Sequence, residues 1–386
     1  MVQKIIFKNL NHKIKTKEKK KLLNYIKKIH DLEWPKFLKS FKKNYQYSYD
    51  KKIINKYKKI KNINIIGMGG SALGSKAIYS FLFEKIKKKV SFSENLNLKN
   101  ENIIKGLNII ISKSGNTLET AVNSNYALSK NNNNIFITEP TNNYLRQLAK
   151  KLKSDVIDHK NFIGGRFSVL SEVGMLPSEL MGLNESKFKQ YNNLIIKKNF
   201  LDNLVQNTLS IYKLTKTKKL NSVILNYDVL SEDLFKWYQQ LVSESLGKNS
   251  KGILPIVSTM PKDNHSILQL YLDGFKSNFY TFYIVKEKNT RKLNSKYLLK
   301  DYSFLSKKKT FDILNAQRVA TQNIFKNKKI PFRSFYIDKR NEETIGELFC
   351  FFTLEVILLS KLLKINPLNQ PQVELVKNET FKILGY

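Results

Sequence analysis

The sequence predicts an α/β protein: two doubly wound, mainly parallel sheets in tandem, a helical segment leading in and a helix at the C-terminal end. Three observations carry this. Apolar runs of strand length recur at INIIG (63–67), LNIIIS (107–112) and NIFIT (134–138). The first two are followed by a turn rich in small residues and an amphipathic helix, SALGSKAIYSFLFEKI (71–86) and NTLETAVNSNYALSK (116–130). The same alternation restarts at NSVILNY (221–227), which precedes LSEDLFKWYQQLVSESLGK (230–248). Alternation of this kind calls for right-handed crossovers and parallel strands covered by helices on both faces.

Taken in order, residues 1–50 are basic with helical patterning (KKLLNYIKKI, FLKSFKKN) and form the expected lead-in. Residues 51–200 hold the first α/β unit. Residues 201–365 hold the second, with GILPIVS (252–258), NFYTFYIV (278–285) and IPFRSFYI (330–337) as further strands. IGELFCFFTLEVILLSKLL (345–363) is the most apolar helix and the expected centre of the core. Residues 366–386 form a last helix entered through a proline.

At 386 residues and 41% hydrophobic composition, the chain is expected to be globular and long enough for two or three domains. The net charge of +37 is spread along nearly every segment and gathers in no basic stripe, and no nucleic-acid module accompanies it. No nucleic-acid partner is therefore expected. Neither a targeting segment nor a run long enough to span a bilayer is read, which implies a cytoplasmic protein. The single cysteine, Cys350, lies in LFCFFTLEVILL and reads as a buried thiol.

Five stretches can carry chemistry. GMGGSALG (67–74) follows a strand and opens a helix, so its main-chain N–H groups can converge on an anion; a tight turn without a ligand would read the same. SKSGNTLET (112–120) repeats the arrangement with hydroxyls, although Ser114 or Asn116 could simply cap the helix. Both turns fall on one rim, beyond the carboxyl ends of neighbouring strands, where such sheets bind ligands. FIGGRFSVLSEVG (162–174) sets Arg166 after a glycine pair, as a surface cation or as a fixed charge for an oxyanion. Gln240 and Glu244 share one helix face, and His265 stands in KDNHS; each taken alone reads as an ordinary solvated or structural side chain. No histidine pair has metal-ligand spacing, so no metal is expected.

As an ordered set, GMGGSALG, SKSGNTLET, GGRFSVLS, ESLGK, DNHS and QPQVELVK resemble the glucose-6-phosphate isomerase family, from about residue 63 to 377. The resemblance implies two sugar-isomerase domains and an interconversion of glucose 6-phosphate and fructose 6-phosphate without metal or organic cofactor. It implies that Gly70, Ser71, Ser112, Lys113, Ser114 and Thr117 hold the substrate phosphate, with Gly165, Gln240 and Gln370 lining the pocket. Arg166 would stabilise the enediolate, Glu244 would move the proton between C1 and C2, and His265 and Lys377 would assist ring opening. The family is homodimeric, with the histidine delivered by the neighbouring subunit.

These residue types suit the reaction. A partly desolvated carboxylate can remove a proton next to a carbonyl, and a preorganised donor is commonly worth about 3 kcal/mol to the developing oxyanion. Two departures stand out. The loop reads Ser114-Gly115-Asn116 where the family usually has hydroxyl residues, which raises the alternative of a dual phosphoglucose and phosphomannose isomerase. Val376 replaces a usual glycine beside Lys377. A non-catalytic sugar-phosphate-binding module is the alternative from another class; it would have no use for Arg166, Glu244 and His265 together.

Overall fold

A computed structural model describes residues 14–96, 103–128, 133–288 and 290–385. The start of the predicted lead-in, the end of the NTLETAVNSNYALSK helix and the first two asparagines of NNNN lie outside them. Among the described residues, nine strands form two wholly parallel sheets. The first contains β1 (Asn62–Ile66), β2 (Lys89–Ser93), β3 (Leu107–Ile111), β4 (Asn133–Thr138) and β5 (Asp155–Asp158), in the order β2-β1-β3-β4-β5. The second contains β6 (Asn221–Asn226), β7 (Leu254–Thr259), β8 (Asn278–Val285) and β9 (Phe332–Ile337), in the order β7-β6-β8-β9. The expected fold class is therefore observed, including the second sheet.

Side-chain alternation divides each sheet into an inner and an outer face. Ile63, Ile65, Leu107, Ile109, Ile135 and Ile137 of the first sheet enter the same core as Ile224, Phe279, Tyr283 and Phe335 of the second. The helices Leu73–Phe81, Lys198–Lys216, Glu232–Leu246 and Glu342–Leu363 fill the space between them. The Glu342–Leu363 helix is buried along nearly its whole length, as its composition predicts, and Cys350 is fully buried within it. The outer faces carry separate, smaller cores: Ile66, Ile110 and Phe136 on the first sheet, Val223, Leu225, Tyr280 and Phe282 on the second.

Two polar devices fix the geometry inside this apolar frame. On the outer face of the first sheet, Asn64 Nδ2 donates to Asn108 Oδ1 (2.9 Å) and Asn108 Nδ2 to Asn134 Oδ1 (2.8 Å). Ser91 Oγ donates to Asn64 Oδ1 (2.5 Å), so the ladder crosses four strands whose residues pair in that register. A one-residue slip would leave these buried amides unpaired, so the ladder sets how the ends of β1 and β3 align. Between the second sheet and the core helix, Arg333 of β9 and Glu355 of Glu342–Leu363, both almost fully buried, pair at 2.7 Å. Arg333 also donates to Thr281 Oγ1 (2.8 Å), and Glu355 accepts from Asn207 Nδ2.

Several elements were not read from the sequence. β2 and β5 are short strands at the two edges of the first sheet, where only a few side chains are buried. The Thr310–Asn327 helix buries only Thr321 and Phe325. FLKSFKKN contributes a 3-10 turn, Lys36–Phe41, where an ordinary helix was expected. Among the described residues no helix is long and apolar enough to cross a membrane.

Candidate active site

The first wall of the site is the carboxyl rim of the first sheet. β1 ends in a turn, Gly69–Ser71, that leads into the Leu73–Phe81 helix. The glycines are required there by contact. A Cβ on Gly70 would lie 2.2 Å from the Gly165 carbonyl carbon and 2.7 Å from the Arg166 nitrogen, so two main chains touch with no room for a side chain. Gly69 adopts φ +52°, and a Cβ on it would meet Gln240 Nε2 at 2.9 Å.

The neighbouring strand β3 ends in SKSGN. Ser112 Oγ and Thr117 Oγ1 lie 2.8 Å apart, and Ser112 also accepts from the Gly115 N–H at 3.2 Å. Gly115, at φ +69°, packs against Asn143, which caps the Tyr144–Lys151 helix. Ser114 Oγ accepts from Asn116 N at 3.3 Å and Asn116 Oδ1 from Tyr144 N at 3.0 Å; these bonds form a local turn ahead of the Leu118–Leu128 helix and a tie to the next helix, in place of the helix cap the sequence left open. Lys113 reaches the Asn161 carbonyl at 2.8 Å and lies 3.5 Å from Glu139.

The second wall comes from the other sheet. The Glu232–Leu246 helix starts beyond the carboxyl end of β6 and runs back along the sheet, where Gln239 Nε2 donates to Pro255 O at the start of β7. Its last turn therefore overlies the rim of the first sheet. There Arg166, 1% exposed, lies between the two halves. Its Nε donates to Ser245 Oγ (2.9 Å), its Nη1 to Glu244 Oε2 (2.9 Å) and to Gln370 Oε1. Its Nη2 donates to the carbonyls of Pro367 and Asn369. Burial pushes the guanidinium below the ordinary arginine range, and Glu244 pulls it back. A cation this deep persists because each nitrogen has an acceptor.

Glu244 is held from both sides: Arg166 binds Oε2, and Gln240 Nε2 donates to Oε1 at 2.8 Å. Its side chain remains 26% exposed, so a ligand on the rim can reach it. One carboxylate of fixed orientation beside one buried cation, facing a rim of hydroxyls and glycines, can move a proton and stabilise the oxygen that becomes negative.

The structure thus brings together Gly70, Gly165, Arg166, Gln240, Glu244 and Gln370. His265 and Lys377 stand apart in this chain. His265 is exposed on the turn Lys262–His265 beyond the carboxyl end of β7. Lys377 is exposed on the Pro371–Ile383 helix, which buries no residue, and pairs with Glu374 at 2.8 Å. Among the described residues no hydrogen bond or ion pair joins either to the cluster. Two participants were missed from the sequence. Ser245 anchors Arg166, and Lys248, four residues after Glu244, donates to Asn366 O at 2.6 Å; burial pushes its ammonium down to about 8, with Arg166 adding to the shift.

The model of the family described as phosphoglucose isomerase matches residues 33–385. The chain belongs to the phosphoglucose isomerase family. A glucose-6-phosphate isomerase from Methanocaldococcus jannaschii is 32% identical, covering 87% of this chain and 88% of that protein. One from Mycoplasmopsis synoviae is 30% identical over 97% of this chain and 92% of its own length. Among solved structures, a hypothetical protein from Thermus thermophilus shares the fold with a TM-score of 0.81 at 22% identity, covering 95% of each chain. A glucose-6-phosphate isomerase from Chlamydia trachomatis shares it at 0.67 and 21% identity, over 86% of this chain and 72% of that one. The family match contains all thirteen residues named above as candidate site residues, from Gly70 to Lys377.

Proposed function

We propose that this protein interconverts glucose 6-phosphate and fructose 6-phosphate by proton transfer through an enediolate. The observation that carries the reading is Glu244, held between Arg166 and Gln240 and partly open to the rim. Ser71, Ser112, Ser114, Thr117 and Lys113 take the phosphate at the ends of β1 and β3, and that remote binding energy orients the reacting end. Glu244 removes the proton from C2 of the aldose, or from C1 of the ketose, and returns it to the adjacent carbon. Arg166, its N–H groups already held by protein acceptors, stabilises the oxygen on which charge develops through its fixed charge. Gln240 and Gln370 line the sugar, and their contacts to Glu244 and Arg166 keep both groups in place.

Ring opening needs a further acid or base, and His265 is suited to it from a second subunit of a homodimer. The topology supports this. Glu244 lies twelve residues into its helix from Glu232, about 18 Å of axial rise, and so at the end of the second sheet opposite to the one where β7 delivers His265. With the two residues at opposite ends of the second sheet, delivery of His265 by a second copy is the reading this placement favours. For Lys377 the assignment rests on the family resemblance alone.

The deciding experiment incubates the pure protein with fructose 6-phosphate and measures both hexose products. Glucose 6-phosphate is expected. Mannose 6-phosphate formed alongside it would indicate the dual isomerase, and formation of neither product would overturn the reading.

A further inference from the structure

Beyond the groups that meet the substrate, the structure assigns to Lys248 a positioning role: from a rigid turn it holds the strap of residues 363–370 so that the strap's end meets Arg166. The assignment rests on the isomerase reading above. The strap connects the core helix Glu342–Leu363 to the C-terminal helix and supplies three of the acceptors on Arg166: the Pro367 and Asn369 carbonyls and the Gln370 amide oxygen. After Leu363 it has no helix or strand; Ile365 and Pro367 are buried, while Asn366, Leu368 and Asn369 are exposed. Its exposed main chain is held from outside as well.

The turn that follows the Glu244 helix does this. Lys248 and Lys251 exchange two main-chain hydrogen bonds, at 3.1 and 3.0 Å, around Asn249 and Ser250, both left-handed at φ +53° and +54°. Two consecutive left-handed residues define the tightest two-residue reversal, and for a serine that conformation is costly. The reversal sets two ammonium groups along the strap. Lys251 Nζ donates to the Leu363 carbonyl at 3.1 Å, at the negative end of the core helix, and Lys248 Nζ to the Asn366 carbonyl at 2.6 Å. Arg166 takes the next carbonyls. Three cations thus hold carbonyls from the end of the core helix to Asn369, and Lys248 is the one that joins the turn after the Glu244 helix to the segment bearing Gln370.

The test compares Lys248→Met with Lys248→Arg in the full chain, reading kcat and KM on fructose 6-phosphate and amide hydrogen exchange along residues 365–370. Misplacing a catalytic group by about 1 Å can cost up to roughly a hundredfold in rate. Lys248→Met is therefore expected to lower kcat about ten- to a hundredfold while KM changes less than about threefold. Exchange should quicken in the strap but not in Glu342–Leu363, and Lys248→Arg should restore most of kcat. Wild-type kcat in Lys248→Met, or a lowered kcat with unchanged strap exchange, would overturn the assignment. If Lys248→Met does not fold, Lys248→Gln is read by the same exchange criterion. If the wild-type protein does not isomerise the sugar, the functional reading fails by itself, and the exchange measurement still decides whether Lys248 seats the strap.

Discussion

Replacing Glu244 by glutamine separates holding the substrate from transforming it, and the structure allows the cost of each to be worked out. The carboxylate accepts at Oε2 from Arg166 (2.9 Å) and at Oε1 from Gln240 (2.8 Å). A glutamine has one acceptor and one donor end, so one of these contacts would set donor against donor. Gln240 can relieve this: its Oε1 is buried with no partner among the described residues, and turning the amide over presents that oxygen to the new NH2 group. Arg166 keeps Ser245, Gln370 and two carbonyls. The stability lost is then that of one charge-assisted hydrogen bond at a partly exposed site, at most about 2 kcal/mol. Loss of a positioned base removes about 10²- to 10⁴-fold in rate, or about 3–5 kcal/mol of barrier. The assay runs fructose 6-phosphate in D2O and follows hydrogen exchange at C1 by NMR, with calorimetry of a hexitol 6-phosphate as the binding control. Exchange should collapse while binding stays within a few-fold of wild type. Exchange at the wild-type rate in Glu244→Gln would remove the residue from its role.

Three other outcomes follow from particular contacts. Mixing Glu244→Gln with a His265→Ala variant should restore up to a quarter of the wild-type site activity once subunits exchange; mixed dimers that stay inactive would show that His265 does not serve the neighbouring site. Glu355→Ala leaves Arg333 buried without its carboxylate and should cost about 3–5 kcal/mol in urea unfolding; a loss under about 1 kcal/mol would mean that the pair is replaceable by water or by relaxation. Burial pushes the Lys189 ammonium down to about 7, with Glu172 and Glu185 opposing that shift. Between about 7 and its ordinary value of 10.5 the unfolded chain binds more protons than the folded one, so this residue makes stability rise with pH. Below about 7 both states are protonated and the full penalty applies. The stability of wild type relative to Lys189→Met should therefore improve from about pH 7 to about pH 9.5, and a difference that does not vary with pH would refute it.

The sheets were legible because buried parallel strands are continuous apolar runs: NINII, LNIII and NFYTFYIV announce themselves by length and branching. β2 and β5 did not, because an edge strand buries few side chains and KVSFS or DVID carries too little pattern to stand above a lysine- and asparagine-rich chain. The same bias hid the asparagine ladder. Asn64, Asn108 and Asn134 interrupt otherwise apolar strands, which is a signal of a buried polar contact, yet in this chain asparagine occurs everywhere. For the site, the glycine turns were visible as turns. The meeting of Arg166 with Glu244, 78 positions apart, and with Gln370, 204 positions apart, depends on how two sheets pack and has no local signature. Lys248 shows the limit most clearly. It stood in the ESLGK stretch, but among 68 lysines and arginines one more basic residue predicts nothing until its partner is known.

The complete ligation of Arg166 by its own chain has a consequence for how this protein should respond to salt. Because the guanidinium is surrounded by protein acceptors and almost sealed from solvent, dissolved ions have little access to it. The surface is the reverse case: a net +37 spread over exposed lysines draws a doubly charged sugar phosphate from solution, and that attraction fades as the ionic atmosphere thickens. Capture and chemistry are therefore separable by sodium chloride: kcat/KM should decline steeply with ionic strength, and the turnover of bound substrate should hardly notice.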